Sequence, residues 1–286
     1  MGWTRVKVRT SRAPAPHGWA IVGLLALAAA ITPTVLAQSP SHGSADWVAR
    51  QIHDRDTGRD SRLDIQMRMF DKQGRVRERH LRLAGLRGTE KGERADRLLI
   101  RFLFPNDIKG TGFLVLEHPG ADDERFLYLP ALGRVRRIAG EEKQDSFVGS
   151  DFTYEDIGGR ELTDYAYVIV DAAASWTDPQ GKAWPAWRLE SRAKDPAATY
   201  PRVVSTVLKD TFVVVAADNF NRRDEVVKTF EVRKLEQISG IWTALELAMR
   251  DRRDRTRTEM SVTRAEYNVG LKEADFNRRT LEQDAQ

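Results

Sequence analysis

The feature that most constrains the fold of this chain is a repeated alternation of apolar and polar residues over short stretches. In RLDIQMRMF, Leu63, Ile65, Met67 and Met69 alternate with polar side chains, which is typical of a strand with one buried face. Roughly ten to twelve such stretches follow one another between Gly, Asp, Pro and Asn turns. The sequence therefore predicts a mainly β chain (α+β) with few helices, folded as one strongly curved antiparallel sheet or an open barrel.

Helical patterns are confined mostly to the two ends of this strand-rich region. ADWVARQIHD places Trp47, Val48, Gln51 and Ile52 on one helical face, with Ser44 in the N-cap position. KEADFNRRTLEQ predicts a terminal helix or helical turn. A sheet of this length has to bury one face, and these helices are too short to cover it densely. We therefore expect an apolar cavity between the sheet and its covers.

The first 37 residues have the pattern of a secretory signal peptide. Four basic residues precede an apolar run at residues 19–31, and the small side chains of Val35 and Ala37 predict cleavage after Ala37. An uncleaved anchor is the alternative, but the run is shorter than the about 20 residues that a spanning helix needs. The predicted organisation is a signal peptide at residues 1–37, a polar spacer at 38–44 and a single β domain at 45–286.

Charge and cysteine content restrict the location and the partners. The chain carries 46 Lys and Arg against 42 Asp and Glu, and residues 1–37 hold four of the basic residues and none of the acidic ones. The remainder is formally neutral, so no basic excess predicts nucleic-acid binding. The chain has no Cys, which excludes lipid attachment through an N-terminal cysteine and fits folding in an oxidising compartment without disulfides. These features predict the periplasm.

Motifs that carry catalytic chemistry are missing from the sequence. It has no thiol nucleophile, GxSxG elbow, HExxH pair, Walker A loop or GxGxxG loop. His53, His80 and His118 are scattered without the spacing of metal ligands. The sequence thus predicts neither an enzyme nor a metal or cofactor site.

One acidic and aromatic stretch, SFVGSDFTYEDIGG at residues 146–159, is the remaining candidate for chemistry. Asp151 and Glu155 are four residues apart, a spacing that would place both carboxylates on one helix face, as in a hydrolase. However, Gly158 and Gly159 end any such helix after about one turn. The hydrolase interpretation is therefore the weaker one.

The favoured interpretation is an apolar flap that ion pairs hold in place. Thr153 and Asp156 have the form of a capping box, which gives Asp156 a structural role. The basic strand RVRR lies just upstream, and Arg–carboxylate pairs are commonly bidentate. The predicted flap-anchoring residues are Arg134, Arg136, Arg137, Asp151, Glu155 and Asp156. A solvated face, or a contact with lipid phosphate or an acidic partner protein, is the other interpretation of RVRR.

Residues 104–157 resemble the outer-membrane lipoprotein-sorting protein family, which has a LolA-like fold. The pieces that carry the resemblance are PNDIKGT, FLYLP, RVRRI and SFVGSDFTYEDI, and a weaker likeness continues through YPRVVSTVLKDTF and ADFNRRTL. The resemblance implies a half-open, LolA/LolB-like β-barrel that short helices close, with an apolar cavity for acyl chains. It also implies a periplasmic location and an inner-membrane exporter of the RND type, or related lipid machinery, as partner.

Alternation along the strands and the aromatic residues of the flap predict which side chains line the cavity. The predicted lining residues are Ile65, Met67, Met69, Ile100, Phe102, Phe113, Phe126, Tyr128, Phe147, Phe152, Tyr154 and Trp242. A shift of one residue in a strand's register would turn its side chains to the other face.

Two functions follow as hypotheses. The first is a non-catalytic carrier that binds acyl chains of a lipid or lipoprotein, shuttles them toward the outer membrane and contacts the membrane transiently. Exposure of an acyl chain of about 16 carbons to water costs on the order of 12 kcal/mol, at about 0.8 per CH₂, so such a chain needs a carrier. The second is a sensor or interaction module of the same fold that regulates a membrane partner.

Overall fold

The computed structural model describes residues 41–283, in which the chain forms sixteen β-strands and three α-helices. The strands are β1 Asp60–Phe70, β2 Val76–Leu86, β3 Thr89–Glu90, β4 Glu93–Arg94, β5 Arg97–Phe104, β6 Gly112–Leu116, β7 Glu124–Leu129, β8 Arg134–Arg137, β9 Tyr165–Asp171, β10 Ser175–Thr177, β11 Ala183–Ala193, β12 Arg202–Leu208, β13 Val214–Phe220, β14 Val226–Ile238, β15 Ile241–Asp251 and β16 Thr256–Tyr267. The helices are α1 Ala45–Asp54, α2 Tyr154–Gly158 and α3 Arg278–Gln283. The predicted signal peptide and the first residues of the spacer lie outside the described residues, and the domain limits stay a prediction.

Fourteen of the strands form one sheet whose neighbours all run antiparallel. Its order is β10-β11-β12-β13-β14-β15-β16-β1-β2-β5-β6-β7-β8, β9 also pairs with β11, and β3 and β4 form a separate pair. Strand β1 pairs with β16, so the two ends of the strand-rich region meet in the middle of the sheet. In the described residues β8 does not pair with β9 or β10 at the far end. The predicted mainly β fold with one curved, unclosed antiparallel sheet is confirmed.

Strand β1 shows how the alternation in the sequence produces one buried face. Ile65, Met67 and Met69 are 8, 0 and 4% exposed, whereas Arg68 between the two methionines is exposed. Ile65 lies opposite Leu81 of β2, which is also buried. Because side chains alternate between the two faces of a strand, one run of apolar residues at every second position is enough to build this core face.

Helix α1 begins where its sequence predicts. The hydroxyl of Ser44 accepts a hydrogen bond from the backbone N–H of Trp47 at 3.1 Å, and the helix buries Val48 and Ala49. These side chains pack against Leu189 of β11 and Val207 of β12. None of the helices in residues 41–283 has the length and apolar character to cross a bilayer.

Helix α3 covers the other face of strands β5 to β7. Leu281 is fully buried and packs with Leu114 and Phe126. Leu114 and Phe126 are register partners, and each lies between residues that point to the opposite face. The prediction that Phe126 and Tyr128 line the cavity is therefore corrected, because on β7 it is Leu127 that faces the core beneath the flap.

Candidate functional site

Residues 146–159, here called the flap, lie over the core face of the sheet. The flap folds back on itself through a bridge between Ser146 and Thr153, and then forms α2. Thr153 Oγ1 accepts a hydrogen bond from the N–H of Asp156, and the Asp156 carboxylate accepts one from the N–H of Thr153, each at 3.0 Å. The predicted capping box is thereby confirmed. Gly149 and Gly159 have φ values of 77° and 89°, which favour glycine at both turns.

The aromatic side chains of the flap fill the interior. Phe147 is fully buried, and its ring centroid lies 5.8 Å from that of Phe102, 5.5 Å from that of Phe113 and 5.6 Å from that of Tyr154. Phe152 and Tyr154 are each 5% exposed. These spacings are in the range of favourable aromatic pairs, so the flap is packed into the core and not laid over its surface.

The sheet and the flap together form one buried cluster, here called the flap-covered core. Its buried members are Ile65, Met67, Met69, Leu81, Ile100, Phe102, Phe113, Val115, Leu127, Ile138, Phe147, Phe152, Tyr154, Met249 and Met260. Nine of the twelve predicted lining residues belong to it: Ile65, Met67, Met69, Ile100, Phe102, Phe113, Phe147, Phe152 and Tyr154. Whether they touch a ligand stays a prediction.

Trp242 lies apart from this cluster. It is close to the turn that joins β14 and β15, and its ring packs edge-on against Trp184 at 5.5 Å. A second apolar cluster surrounds the two tryptophans, and Phe230 and Leu247 contact both clusters. The prediction that Trp242 lines the same cavity as the other residues is thus corrected, because β14 and β15 are long enough to carry it to their far end.

The expected vacant cavity differs from what the structure contains. The side chains of the flap occupy the space between the sheet and its cover, and Met67, Phe102, Phe113 and Phe147 have no exposed surface. Clefts of about 260 and 270 Å³ lie beside the flap, and charged residues contribute to the lining of both. A ligand would therefore enter the flap-covered core only if the flap moved.

Asp151 is anchored to strand β16 through two hydroxyl groups. Thr258 Oγ1 donates to Asp151 Oδ2 at 2.6 Å, and Thr256 Oγ1 donates to Asp151 Oδ1. Thr258 Oγ1 also accepts a hydrogen bond from the N–H of Asp151 at 2.9 Å. Thr258 is fully buried and Asp151 is 9% exposed, so these bonds form away from bulk water and hold the centre of the flap to the sheet.

The other two carboxylates of the flap have partners that follow it in the sequence. Glu155 accepts hydrogen bonds from Thr199 Oγ1 at 3.0 Å and from the Tyr165 hydroxyl at 3.4 Å. Asp156 accepts from Arg160 at 2.9 Å and from the Tyr200 hydroxyl at 3.2 Å. Burial raises the pKa of Tyr165 to about 12. Asp151 and Glu155 thus contact different elements. They do not form the paired catalytic site of the hydrolase interpretation.

The predicted ion pairs with strand β8 are corrected. Arg136 lies 3.4 Å from Glu142, and in the described residues Arg134 and Arg137 form no ion pair with a flap carboxylate. Glu142 follows β8 directly in a 3₁₀ turn and is therefore the nearer carboxylate. Arg137 lies opposite Phe126 and so faces away from the flap. Arg136 also forms a side-chain hydrogen bond with Tyr154 of the flap, but among residues 41–283 no arginine of β8 pairs with a flap carboxylate.

Three cations bind main-chain carbonyl oxygens of the flap. Arg79 Nη1 donates to the carbonyl of Val148, and Lys228 Nζ donates to that of Asp151. Arg125, which is 3% exposed, donates to the carbonyl of Gly159 at 3.2 Å and to Asp123 at 2.9 Å. The flap is therefore held at its tip, its centre and its end.

These anchors were missed at the sequence level, although a signal for them exists. Arg79, Lys228 and Thr258 each stand at a core-facing position of their strand: Arg79 lies opposite Met67, and Thr258 lies opposite Met69. A polar residue at such a position needs a buried partner. Polar residues at core-facing positions of a strand are thus a better guide to the anchors than the nearest run of arginines.

The end of the flap adjoins a group of carboxylates around Arg125. A Cβ at Gly158 would lie 2.8 Å from Arg125 Nε, so this close approach needs glycine. Burial, assisted by a hydrogen bond with Asp123, raises the pKa of Glu161 to about 8. Burial also raises the pKa of Glu117. In the described residues no group of His, Cys, Asp and Glu is arranged to hold a metal ion.

The chain is similar to several known proteins. A family model described as "Uncharacterized protein" matches residues 94–283. A DUF1329 family protein from Desulfovibrio piger is 29% identical, with 83% of this chain and 97% of that chain covered and a TM-score of 0.74. A putative outer membrane lipoprotein-sorting protein domain from Vibrio parahaemolyticus is 28% identical, with 84% and 98% covered and a TM-score of 0.74.

A more distant solved structure shares only the fold with this chain. A LolA superfamily protein from Nitrosomonas europaea is 14% identical, with 83% of this chain and 99% of that chain covered and a TM-score of 0.62. No curated protein matches the chain. The predicted LolA-like fold is confirmed by these solved structures.

Proposed function

The chain belongs to the DUF1329-like family of proteins with the LolA-superfamily fold, and we propose that it is a periplasmic, non-catalytic carrier. It binds acyl chains of a lipid or lipoprotein in place of its flap and shuttles them toward the outer membrane. The description of the Vibrio relative as a putative lipoprotein-sorting domain supports this proposal.

One observation carries the proposal: the interior of the open sheet is filled by the side chains of a separate segment, the flap, and not by the strands alone. The three aromatic residues of the flap provide that filling. Each aromatic side chain buries roughly 150–250 Å², which at about 25 cal/mol per Å² is worth on the order of 11–19 kcal/mol for three. An acyl chain of about 16 carbons gains on the order of 12 kcal/mol by the same reasoning. An exchange between them is nearly balanced, as reversible loading requires.

The way in which the flap is attached is consistent with such an exchange. Gly149 and Gly159 lie at its two turns with positive φ, and such turns are suited to a segment that moves as a unit. Its anchors are hydrogen bonds to hydroxyls and carbonyls that the ligand or water can replace. An inner-membrane exporter of the RND type and transient membrane contact belong to this proposal as partners.

A second candidate function is the sensor or interaction module, and strand β9 favours it. One edge of β9 pairs with β11 and, in the described residues, the other edge pairs with no strand. Val168 and Val170 are 51 and 50% exposed, and residues 165–170 carry no charge. An uncharged apolar edge strand can accept an added strand from a partner. In this function a protein complex, and not a lipid, is the product of binding.

A disulfide that locks the flap tests the carrier function. The chain has no Cys, so Asp151→Cys with Thr258→Cys introduces one defined pair at side chains that are in contact. We expect the oxidised protein to take up no fluorescent phospholipid from vesicles, and reduction to restore uptake. Asp64→Cys with Arg82→Cys, a register pair outside the flap, is the matched control and should load like the wild type.

Native mass spectrometry of protein purified from its own periplasm distinguishes the two functions. A bound lipid or lipoprotein supports the carrier, and a specific protein complex without lipid supports the sensor. If the oxidised variant with cysteines at positions 151 and 258 took up lipid at the wild-type rate, loading beneath the flap would be contradicted.

A further inference from the structure

The flap brings a carboxylate as well as three aromatic rings into the sheet. Asp151 places its two carboxylate oxygens on the hydroxyls of Thr256 and Thr258, while Phe147, Phe152 and Tyr154 fill the apolar space beside it. An acidic group joined to a bulky apolar body is the pattern of an anionic amphiphile. The flap therefore resembles, in its chemistry, the ligand that would replace it.

The surroundings of Asp151 hold more positive charge than the closed flap uses. Lys228 is 8% exposed, and its ammonium group is bound to the neutral main-chain carbonyl of Asp151. Asp251 lies opposite Lys228 in the sheet, but its carboxylate accepts hydrogen bonds from the N–H groups of Arg253 and Asp254 at 2.8 and 3.0 Å. A buried charge that lacks an ionic partner is costly. Lys228 is thus poised for an anion.

Arg79 repeats the same arrangement at the tip of the flap. Its guanidinium donates to the carbonyl of Val148, and among residues 41–283 it forms no ion pair. Burial lowers the pKa of Arg79, the neighbouring charge of Arg77 lowers it further, and Asp107 partly offsets both. Arg77 lies opposite Met69 and therefore shares this face of the sheet.

The two cations bind the same stretch of the flap. Their carbonyl partners belong to residues 148 and 151, three positions apart, so the chain between them spans at most about 10 Å. When the flap leaves, Arg79, Lys228 and the hydroxyls of Thr256 and Thr258 lose these hydrogen-bond partners together, and Arg79 keeps its contact with the ring of Phe102 at 5.8 Å. These four residues are here called the anion seat.

We propose that the ligand of this carrier is an anionic amphiphile, whose phosphate or carboxylate takes the place of Asp151 in the anion seat while its hydrocarbon takes the place of the flap's aromatic rings. The inference rests on the proposed carrier function and names its substrate class. A neutral amphiphile would give the two cations no anionic partner, and a site built for a charged group discriminates against a ligand that lacks it.

Two amphiphiles with the same chain test the substrate class: dodecyl phosphate and 1-dodecanol, with inorganic phosphate as a third probe. Titration of the mature protein, followed by native mass spectrometry, gives the three affinities. We expect dodecyl phosphate to bind at least about tenfold more tightly than dodecanol, since charged hydrogen bonds are worth more than neutral ones. Inorganic phosphate should bind far more weakly than dodecyl phosphate.

Lys228→Met should bring the two amphiphile affinities to within about twofold, because it keeps the aliphatic stem and removes the charge. Lys234→Met is the matched control on the same strand, since Lys234 is ion-paired with Glu236 at 3.2 Å and lies outside the seat; it should keep the wild-type ratio. Arg79 is only half-buried, so Arg79→Met gives an independent reading if Lys228→Met does not fold.

The outcomes separate this inference from the proposed function. Binding of neither amphiphile overturns the carrier itself. Equal binding of both amphiphiles to the wild type overturns the anion seat and leaves the carrier standing. Inorganic phosphate that binds as tightly as dodecyl phosphate would identify the seat as a site for free phosphate, and so would also overturn the inference.

Discussion

Different interactions attach the two halves of the flap to the rest of the protein. The front half is residues 146–153, and the rear half is residues 154–159. The front half is held by apolar packing of Phe147 and by hydroxyl and cation contacts to Asp151 and Val148. The rear half is a capped helical turn that continues into carboxylates around Arg125, whose interactions depend on protonation. In the proposed carrier a ligand would replace the front contacts, and the rear contacts would act as a hinge.

The greatest loss of stability is expected at the centre of the front half. Phe147→Ala should lower the free energy of unfolding by about 3–5 kcal/mol, because it leaves a cavity among Phe102, Phe113 and Tyr154. Urea denaturation measures the loss, and hydrogen exchange should show it first in residues 146–153. Phe70→Ala, which removes a half-buried ring packed on Arg257, is the control and should cost clearly less. An equal cost for both would contradict a special role of the front half.

Loss of the Asp151 carboxylate should have a smaller effect that stays in the same half. Asp151→Ala leaves the hydroxyls of half-buried Thr256 and buried Thr258 without this acceptor, at a cost of about 1–3 kcal/mol. The flap should open more often and compete less well with a ligand, so lipid should load faster and be retained longer in vesicle-transfer assays. The exposed Asp122→Ala serves as control. Retention like that of the wild type would show that the front half is held by packing alone.

The proposed hinge should make the stability of the protein depend on pH. Burial raises the pKa of Glu161 from its ordinary 4.5 to about 8, so the folded hinge prefers the protonated acid. Its contribution is complete below pH 4.5 and is lost as the pH rises toward 8. Glu161→Gln should remove this part of the pH dependence. Urea midpoints at pH 5 and pH 8.5 check it; a slope as steep as that of the wild type would count against the carboxylate group.

The weakest effect is expected at two arginines of β8 that the sequence had favoured as anchors. Arg134→Ala and Arg137→Ala should each change the free energy of unfolding by no more than about 0.5 kcal/mol, since both side chains are exposed. Flap exchange rates should also be unchanged. A loss as large as that of Asp151→Ala would restore the basic strand as an anchor and remove the contrast with Arg79 and Lys228.

Much of the flap-covered core could be predicted, because it depends on local periodicity. Met67 and Met69 face the core since β1 alternates without interruption over that stretch, and the Thr153–Asp156 box depends on a spacing of three residues. Phe126 was misplaced because FLYLP offers apolar residues at both parities: Leu127 faces the flap and Phe126 faces α3. A strand that is covered on both sides carries no signal that tells its faces apart.

Spacings of two to four residues along the chain are enough to specify the open β-sheet, the helix caps and a flap of aromatic and acidic residues. Only the tertiary structure shows that the flap fills the interior. Only it shows that Asp151 bonds to threonines that lie 105 and 107 positions away in the sequence. Such partners are chosen by the curvature and register of the whole sheet, which bring β16 and β14 to the flap. The neighbouring sequence therefore suggested arginines as partners of the flap. In the structure Asp151 is bound by threonine hydroxyls and by a buried lysine.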